Sequence, residues 1–284
     1  MVNAMCSSRK RGGIVLATGK NDHDQCNVAD WTDVTQVAAG YAHSLGICEG
    51  RVLAAGDNSR GQCNINGWQD IVQVAAGQWH TVGLWADGYV IAAGDNGSGQ
   101  CEVSEWRDIA QVSAGMDFTV GLKKDGAVVA VGDNSDGQCD VQNWTDIIQV
   151  AAGTTHLSAL RKDGAVVMVG RPRQRPKWRD INYIASGLGF TLAVNKDGAV
   201  LTKGPSPWRW FRDYGQCQTR LMRNIIQVAA GTYHTVALGK EGVVEAIGRQ
   251  DHGRCAVAGW KDIVQVAAGD SHTLGLQIEK SKQE

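Results

Sequence analysis

The chain has 284 residues, of which 43% are apolar and 20% charged, with 28 Lys/Arg against 29 Asp/Glu and a formal charge of −1. That balance excludes a disordered chain and a uniformly basic nucleic-acid binder. Glycine supplies 36 residues and proline only 4, and so much glycine without a G-x-y period excludes collagen and describes a turn-rich globular protein. No apolar run approaches the roughly 20 residues of a spanning helix, and the opening MVNAMCSSRKRGG has basic residues but no apolar signal stretch.

In chain order, GIVLATGKNDHDQCNVADW (13–31) predicts two short strands. Then a phrase begins to return: VTQVAAG ending at Gly40, IVQVAAG at Gly77, IAQVSAG at Gly115, IIQVAAG at Gly153, NYIASG at Gly187, IIQVAAG at Gly231 and IVQVAAG at Gly269. The intervals are 37, 38, 38, 34, 44 and 38 residues. Each copy continues like FTVGLKKDGAVVAVGDNSDGQCDVQNW (118–144), where short β-branched runs flank a D-G or E-G hairpin turn. The unit therefore reads as four strands: QVAAG, HTVGL, AVVAVG and C-x-V. Four strands in about 38 residues is the size of a propeller blade, whereas repeats of similar length built from helices need a 3.6-residue period that is absent.

The last copy stops after two strands, at HTLGLQIEK, while residues 13–30 match strands three and four. One blade is thus expected to close from both termini, leaving no free sheet edge. The expectation is one all-β domain over 1–284, a seven-bladed propeller with four-stranded blades. Residues 1–12 would be a flexible lead, and blades would start near 31, 68, 106, 144, 178, 222 and 260, the last completed by 13–30. Trp31, Trp68, Trp106, Trp144, Trp178 and Trp260, with Met222 in the sixth copy, read as wedges between blades.

The G-x-x-H-[ST] phrase, followed by L-x-x-D-G-x-V and G-D-N-x-x-G-Q, resembles the regulator of chromosome condensation repeat over about residues 14–276. The short unit and C-x-V-x-x-W after GQ are most similar to bacterial members, the propeller-type β-lactamase inhibitory proteins among them. The resemblance implies the propeller fold and partner binding through top loops. It also implies inhibition of a class A β-lactamase as one function to test, which the missing signal stretch counts against. Guanine-nucleotide exchange, the role of the eukaryotic relative, finds no residue to match.

His43, His80, His156, His234 and His272 share one slot, which Phe118 and Phe190 fill in other copies. A slot that accepts phenylalanine packs rather than catalyses, and a partly buried ring hydrogen-bonded to nearby backbone is expected. Cys26, Cys63, Cys101, Cys139, Cys217 and Cys255 share another slot, a blade apart and so beyond disulfide reach. Six unpaired thiols favour a reducing compartment, read as cytoplasmic; Cys6 and Cys48 lie outside the slot. His23-x-x-Cys26 and His252-x-x-Cys255 have zinc-ligand types, but their cysteines only fill the general slot, so no metal is expected. The D-N-x-x-G loops at Asp57, Asp95 and Asp133 lack calcium-loop spacing and suit tight turns. No motif for an enzyme or a cofactor is present.

In a repeat protein the shared residues build the scaffold and the departures carry function. Strand alternation brings the G-x-x-H and D-N-x-x-G loops to one face, the top. There Tyr41, Trp79 and Tyr233 vary, and they are residue types that anchor interfaces. The fifth copy carries twelve residues, PSPWRWFRDYGQ (205–216), where a normal copy has six. This insert holds Trp208, Trp210, Phe211 and Tyr214 with Arg209 and Arg212, either as an exposed patch or as a cover for the shortened fourth blade. That blade ends in RPRQRPKW, with Arg171, Arg173 and Arg175. Residues 171–223 hold 11 Lys/Arg and 3 Asp/Glu, a net of +8, which leaves −9 for the remainder. The sector is either a solvated face or one that steers an anionic partner. The expected protein is a non-enzymatic monomer, away from the membrane, binding a protein with an acidic surface. Nucleic acid on the same sector is the alternative, since bases stack on aromatic rings; a sugar on exposed rings is a further one.

Overall fold

The computed structural model describes residues 12–171, 176–204 and 212–278. Within them lie seven antiparallel sheets. Each has an inner strand from the recurring phrase: Val34–Ala39, Ile71–Ala76, Ile109–Ala114, Ile147–Ala152, Ile181–Ser186, Ile225–Ala230 and Ile263–Ala268. Successive inner strands contact one another around a common axis. In the seventh blade Ile263–Ala268 pairs with His272–Gln277, which pairs with Ile14–Gly19 from the other end of the chain, Val15 opposite Leu276 and Thr18 opposite Thr273. The fold is the expected all-β, seven-bladed propeller closed by strands from both termini.

One expectation changes. Each blade has three hydrogen-bonded strands, and the C-x-V segment is a run of turns. Its polar groups are satisfied locally: Cys63 N–H donates to Asn58 Oδ1, Ile65 N–H to the Cys63 carbonyl and Trp68 N–H to the Ile65 carbonyl. With its donors committed to turns, the segment has none left for a ladder.

Three devices join neighbouring blades. The first is the tryptophan wedge. Trp68 packs with Leu45, Ile47 and Val52 of blade one and with Ile71 and Val74 of blade two. Its ring lies against Gly83, where a Cβ would come 2.8 Å from Cζ3. Trp31, Trp106 and Trp260 rest on Gly46, Gly121 and Gly275 in the same way.

The second is a glutamine clasp. Every inner strand has a register shift after its first residue, as between Ile71 and Gln73, and the bulge re-aims the following side chain. Gln111 Nε2 donates to the Val150 carbonyl (3.1 Å) and its Oε1 accepts from Val150 N–H (2.9 Å) in the next blade. Gln36, Gln73, Gln149 and Gln265 clasp their neighbours through the same two atoms, and Gln265 closes the ring onto Val37.

The third is an imidazole–hydroxyl link between middle strands: His43 to Thr81 (3.1 Å), His80 to Thr119 (2.9 Å), His156 to Thr191 (2.9 Å), His234 to Thr273 (2.9 Å) and His272 to Ser44 (3.0 Å). The histidines are fully buried, and their partners are side-chain hydroxyls of the next blade rather than the backbone groups expected. Each ring fills the space a Cβ would need on the glycine that ends its inner strand, as His43 does at Gly40. That close approach is why AAG ends in glycine.

At the seam between blades five and six all three devices change. Tyr183 stands in the clasp slot, Phe190 in the imidazole slot and Met222 in the wedge slot, where it packs between Leu192 and Val228.

Candidate interaction site on the top face

Because the strands of a blade alternate in direction, the loops after the inner and outer strands emerge together on the top face. The inner-strand loops surround a cavity of about 540 Å³ on the propeller axis. Its floor is alanine and glycine; larger side chains stand at its rim, among them Tyr41, Gln78, Met116, Leu188, Tyr233 and Arg249.

The outer-strand loops of blades one to three are braced by their own side chains. In the loop 57–62, Gln62 is buried, its Nε2 donating to Asp57 Oδ2 (2.8 Å) and its Oε1 accepting from Arg60 N–H (2.9 Å). Gln100 and Gln138 repeat the arrangement with Asp95 and Asp133. These carboxylates are engaged inside their own loops, and among the described residues no group of three His, Cys, Asp or Glu is placed to hold a metal ion. Cys26, Cys63, Cys101 and Cys139 direct their S–H to the carbonyl that opens the same loop, at 3.2 to 3.4 Å. Burial pushes the Cys63 and Cys101 thiols up to about 11 and Cys139 to about 12.

Two aromatic pairs stand on this face. Tyr41 of blade one lies 5.0 Å from Trp79 of blade two, the ring planes tilted by 49°. Tyr214 and Tyr233 meet edge-on at 5.3 Å. Tyr41 is 43% exposed and Tyr214 37%; Trp79 and Tyr233 are half-buried. Arg171 is exposed and pairs with Asp136 (3.4 Å), joining blades three and four. Arg212 is exposed, and its carbonyl accepts from Gln216 Nε2 (3.0 Å). Trp208, Arg209, Trp210, Phe211, Arg173 and Arg175 lie outside the described residues.

Arg249 is a site residue that sequence reasoning missed. It stands where blades one to three have Asp57, Asp95 and Asp133, so the signal was a reversed charge in an aligned slot. Its guanidinium lies 5.2 Å from the Tyr214 ring and 5.7 Å from Tyr233, and Nη2 is 2.6 Å from Asp251 Oδ2. Asp251 also takes Arg254 Nη2 at 2.7 Å. Arg254 replaces the buried glutamine of this loop and is itself buried, donating through Nη1 to the Asp270 carbonyl (3.1 Å). A guanidinium fixed by two rings and a carboxylate is pre-organised to bind an anion.

Asp117, in the blade-three loop, is the opposite case. Its carboxylate is half-buried and makes no hydrogen bond or ion pair among the described residues. Burial pushes its pKa above the usual carboxylate range, with the charges of Asp95 and Asp133 acting in the same direction.

The regulator of chromosome condensation (RCC1) repeat model matches residues 34–62, 71–100 and 109–138. Among curated proteins, none matches the sequence. Among solved structures, Prp20p of Saccharomyces cerevisiae, described with its binding properties to Gsp1p and histones, superposes with a TM-score of 0.75 at 16% identity, over 95% of this chain and 93% of that one. Human WBSCR16 gives 0.75 at 16% identity, over 94% and 99%. The CRINKLY ectodomain of the Arabidopsis thaliana receptor kinase ACR4 gives 0.67 at 19%, over 88% and 95%. At these identities the likeness is one of fold. No helix among the described residues is long and apolar enough to cross a membrane.

Proposed function

We propose that this propeller is a non-enzymatic module that holds a partner protein on its top face. The observation that carries the reading is the placement of two aromatic pairs, Tyr41–Trp79 and Tyr214–Tyr233, on one face around the axial cavity. Aromatic side chains on a rigid frame lose little entropy on binding and are the usual anchors of interfaces. Arg171 and Arg212 extend the surface, and the sequence adds Trp208, Arg209, Trp210, Phe211, Arg173 and Arg175 to the same sector. Binding of Gsp1p and histones by Prp20p supports the use of such a propeller for partner recognition. The seven free cysteines among the described residues favour a reducing compartment, which we take to be the cytoplasm.

The test is a pull-down from native-host lysate, with the wild-type propeller beside two variants. One carries Tyr41→Ala and Trp79→Ala, the other alanine at Trp208, Trp210, Phe211 and Tyr214. A protein captured by wild type and lost on either folded variant supports the reading and locates the anchor. A partner captured equally by all three removes the top face as the site.

The net charge of +8 over residues 171–223 favours a second reading, an anionic partner such as nucleic acid. Its mark is a steep loss of affinity for generic DNA as salt rises. Inhibition of a class A β-lactamase rests on the sequence resemblance, and titration of a purified enzyme's activity decides it.

A further inference from the structure

One slot on the top face sorts its charges by sign, although oppositely charged groups stand beside it, Arg60 near Asp95 (3.6 Å) and Asp251 at Arg249. In the slot that follows the outer strand, blades one to three carry Asp57, Asp95 and Asp133, while blades four, six and seven carry Arg171, Arg249 and Lys20. Asp117 adds a carboxylate to the first arc, and its lack of a partner sets it apart from the loop aspartates, which accept from the buried glutamine of their own loop, Asp95 also pairing with Arg60 of blade one. Asp95, one of the two carboxylates acting on it, donates its backbone N–H to the Trp79 carbonyl, which puts the aromatic pair beside this pole. On the other arc Arg249 is pinned between Tyr214, Tyr233 and Asp251. Blades three and six face each other almost directly across the axis, with the cavity between them; Met116, the neighbour of Asp117, and Arg249 both line it.

We propose that the top face is a two-pole dock for a partner segment that crosses the axis, setting a lysine or arginine on Asp117 and a carboxylate on Arg249. This rests on the top-face binding proposed above and makes the partner dipolar, where the sequence pointed to an acidic surface alone. Asp117 is desolvated without the compensation of a cation, and a partner ammonium or guanidinium supplies it. The alkyl stem of that residue packs on the Tyr41–Trp79 pair. At the far pole the guanidinium offers its remaining N–H groups to a carboxylate in a fixed orientation. A uniformly acidic segment meets repulsion at Asp117, and a uniformly basic one at Arg249, so the split selects as well as attracts.

The probe is a displayed random-peptide library selected on the wild-type propeller, with individual binders measured by calorimetry. The expected binders carry a basic and an acidic residue at a constant separation. Asp117→Asn and Arg249→Gln each weaken them about tenfold, the scale of one charge-assisted contact. Replacing the peptide's basic residue by glutamine abolishes the effect of Asp117→Asn and leaves that of Arg249→Gln. Unchanged thermal midpoints for both variants separate these losses from misfolding. Binders lost on Tyr41→Ala/Trp79→Ala but indifferent to Asp117→Asn and Arg249→Gln overturn the two-pole dock and leave top-face binding standing. Binders indifferent to every top-face change, or none at all, overturn both.

Discussion

The Nε2 of His80 lies 2.9 Å from Oγ1 of Thr119 in the next blade, and that hydroxyl gives its single proton to the Gln100 carbonyl at 2.7 Å. The imidazole must therefore be the donor, which fixes its neutral Nε2–H tautomer and leaves Nδ1 unprotonated and without a partner. The same logic holds for His43, His234 and His272, whose partner hydroxyls donate to the carbonyls of Gln62, Arg254 and Gln25.

Acid should unfold the protein early. Burial lowers His43 and His234 to about 3 and His80, His156 and His272 to about 4, against 6.5 when unfolded. Their folded pKa values are depressed, so below pH 6.5 the unfolded chain binds protons that the native one refuses. Their contribution is whole above pH 6.5 and falls until the pH reaches about 4. Each histidine removes about 1.4 kcal/mol per pH unit in that window, and five together about 7. Against a total of about 5–15 kcal/mol, the urea midpoint should collapse near pH ~5. A midpoint flat from pH 7 to 4.5 would contradict neutral burial.

Phenylalanine should be tolerated where alanine is not. His80→Phe keeps the ring and leaves Thr119 donating to Gln100, so we expect a loss below about 1 kcal/mol. His80→Ala opens a cavity and should lose about 2–4 kcal/mol. Equal losses by urea unfolding would show that the hydrogen bond, not the ring, holds the seam.

The slot thiols should be masked and alkali-sensitive. With pKa values raised to about 11 for Cys26, Cys63 and Cys101 and about 12 for Cys139 and Cys217, native thiolate at pH 8 is about 100-fold or more scarcer than in the unfolded chain. Raised thiol pKa values stabilise the fold below about pH 9 and withdraw that stability as pH climbs toward 11. Ellman's reagent should label these positions only after denaturant is added.

Opening should begin between blades five and six rather than at the closure of the termini. Hydrogen exchange is expected to release Val228 before Val37, whose N–H is held by Gln265 Oε1 at 3.0 Å. Breaking an intact clasp by Gln111→Leu strands the Val150 N–H and carbonyl and should lose about 2–4 kcal/mol. Tyr183→Gln is the converse test: it should slow exchange at the weak seam.

Periodicity made most of this legible. A phrase that returns seven times announces seven units, and a half-copy at each end announces how they close. The wedge tryptophans and the packing histidines were readable because a slot that accepts Met or Phe is a packing slot. The fourth strand was misread because C-x-V alternates like a strand, and nothing in its composition shows that Asn58 and the adjacent turns take its donors. The clasp was overlooked for a different reason. Gln36, Gln73, Gln111, Gln149, Gln227 and Gln265 recur in plain view, but a polar residue inside a strand earns its meaning only from the bulge that turns it toward the neighbouring blade.

The blade count, the closure, the slots that pack and the top-face loops where copies diverge are all readable along the chain. All of these follow from repetition, since equivalent positions must meet equivalent surroundings. The tertiary structure decided what lies beside what: that Tyr214 meets Tyr233, that Arg249 is held between them, and that Asp117 stands without a cation across the axis. Those relations join loops of different blades, brought together by ring closure at separations that no local pattern encodes.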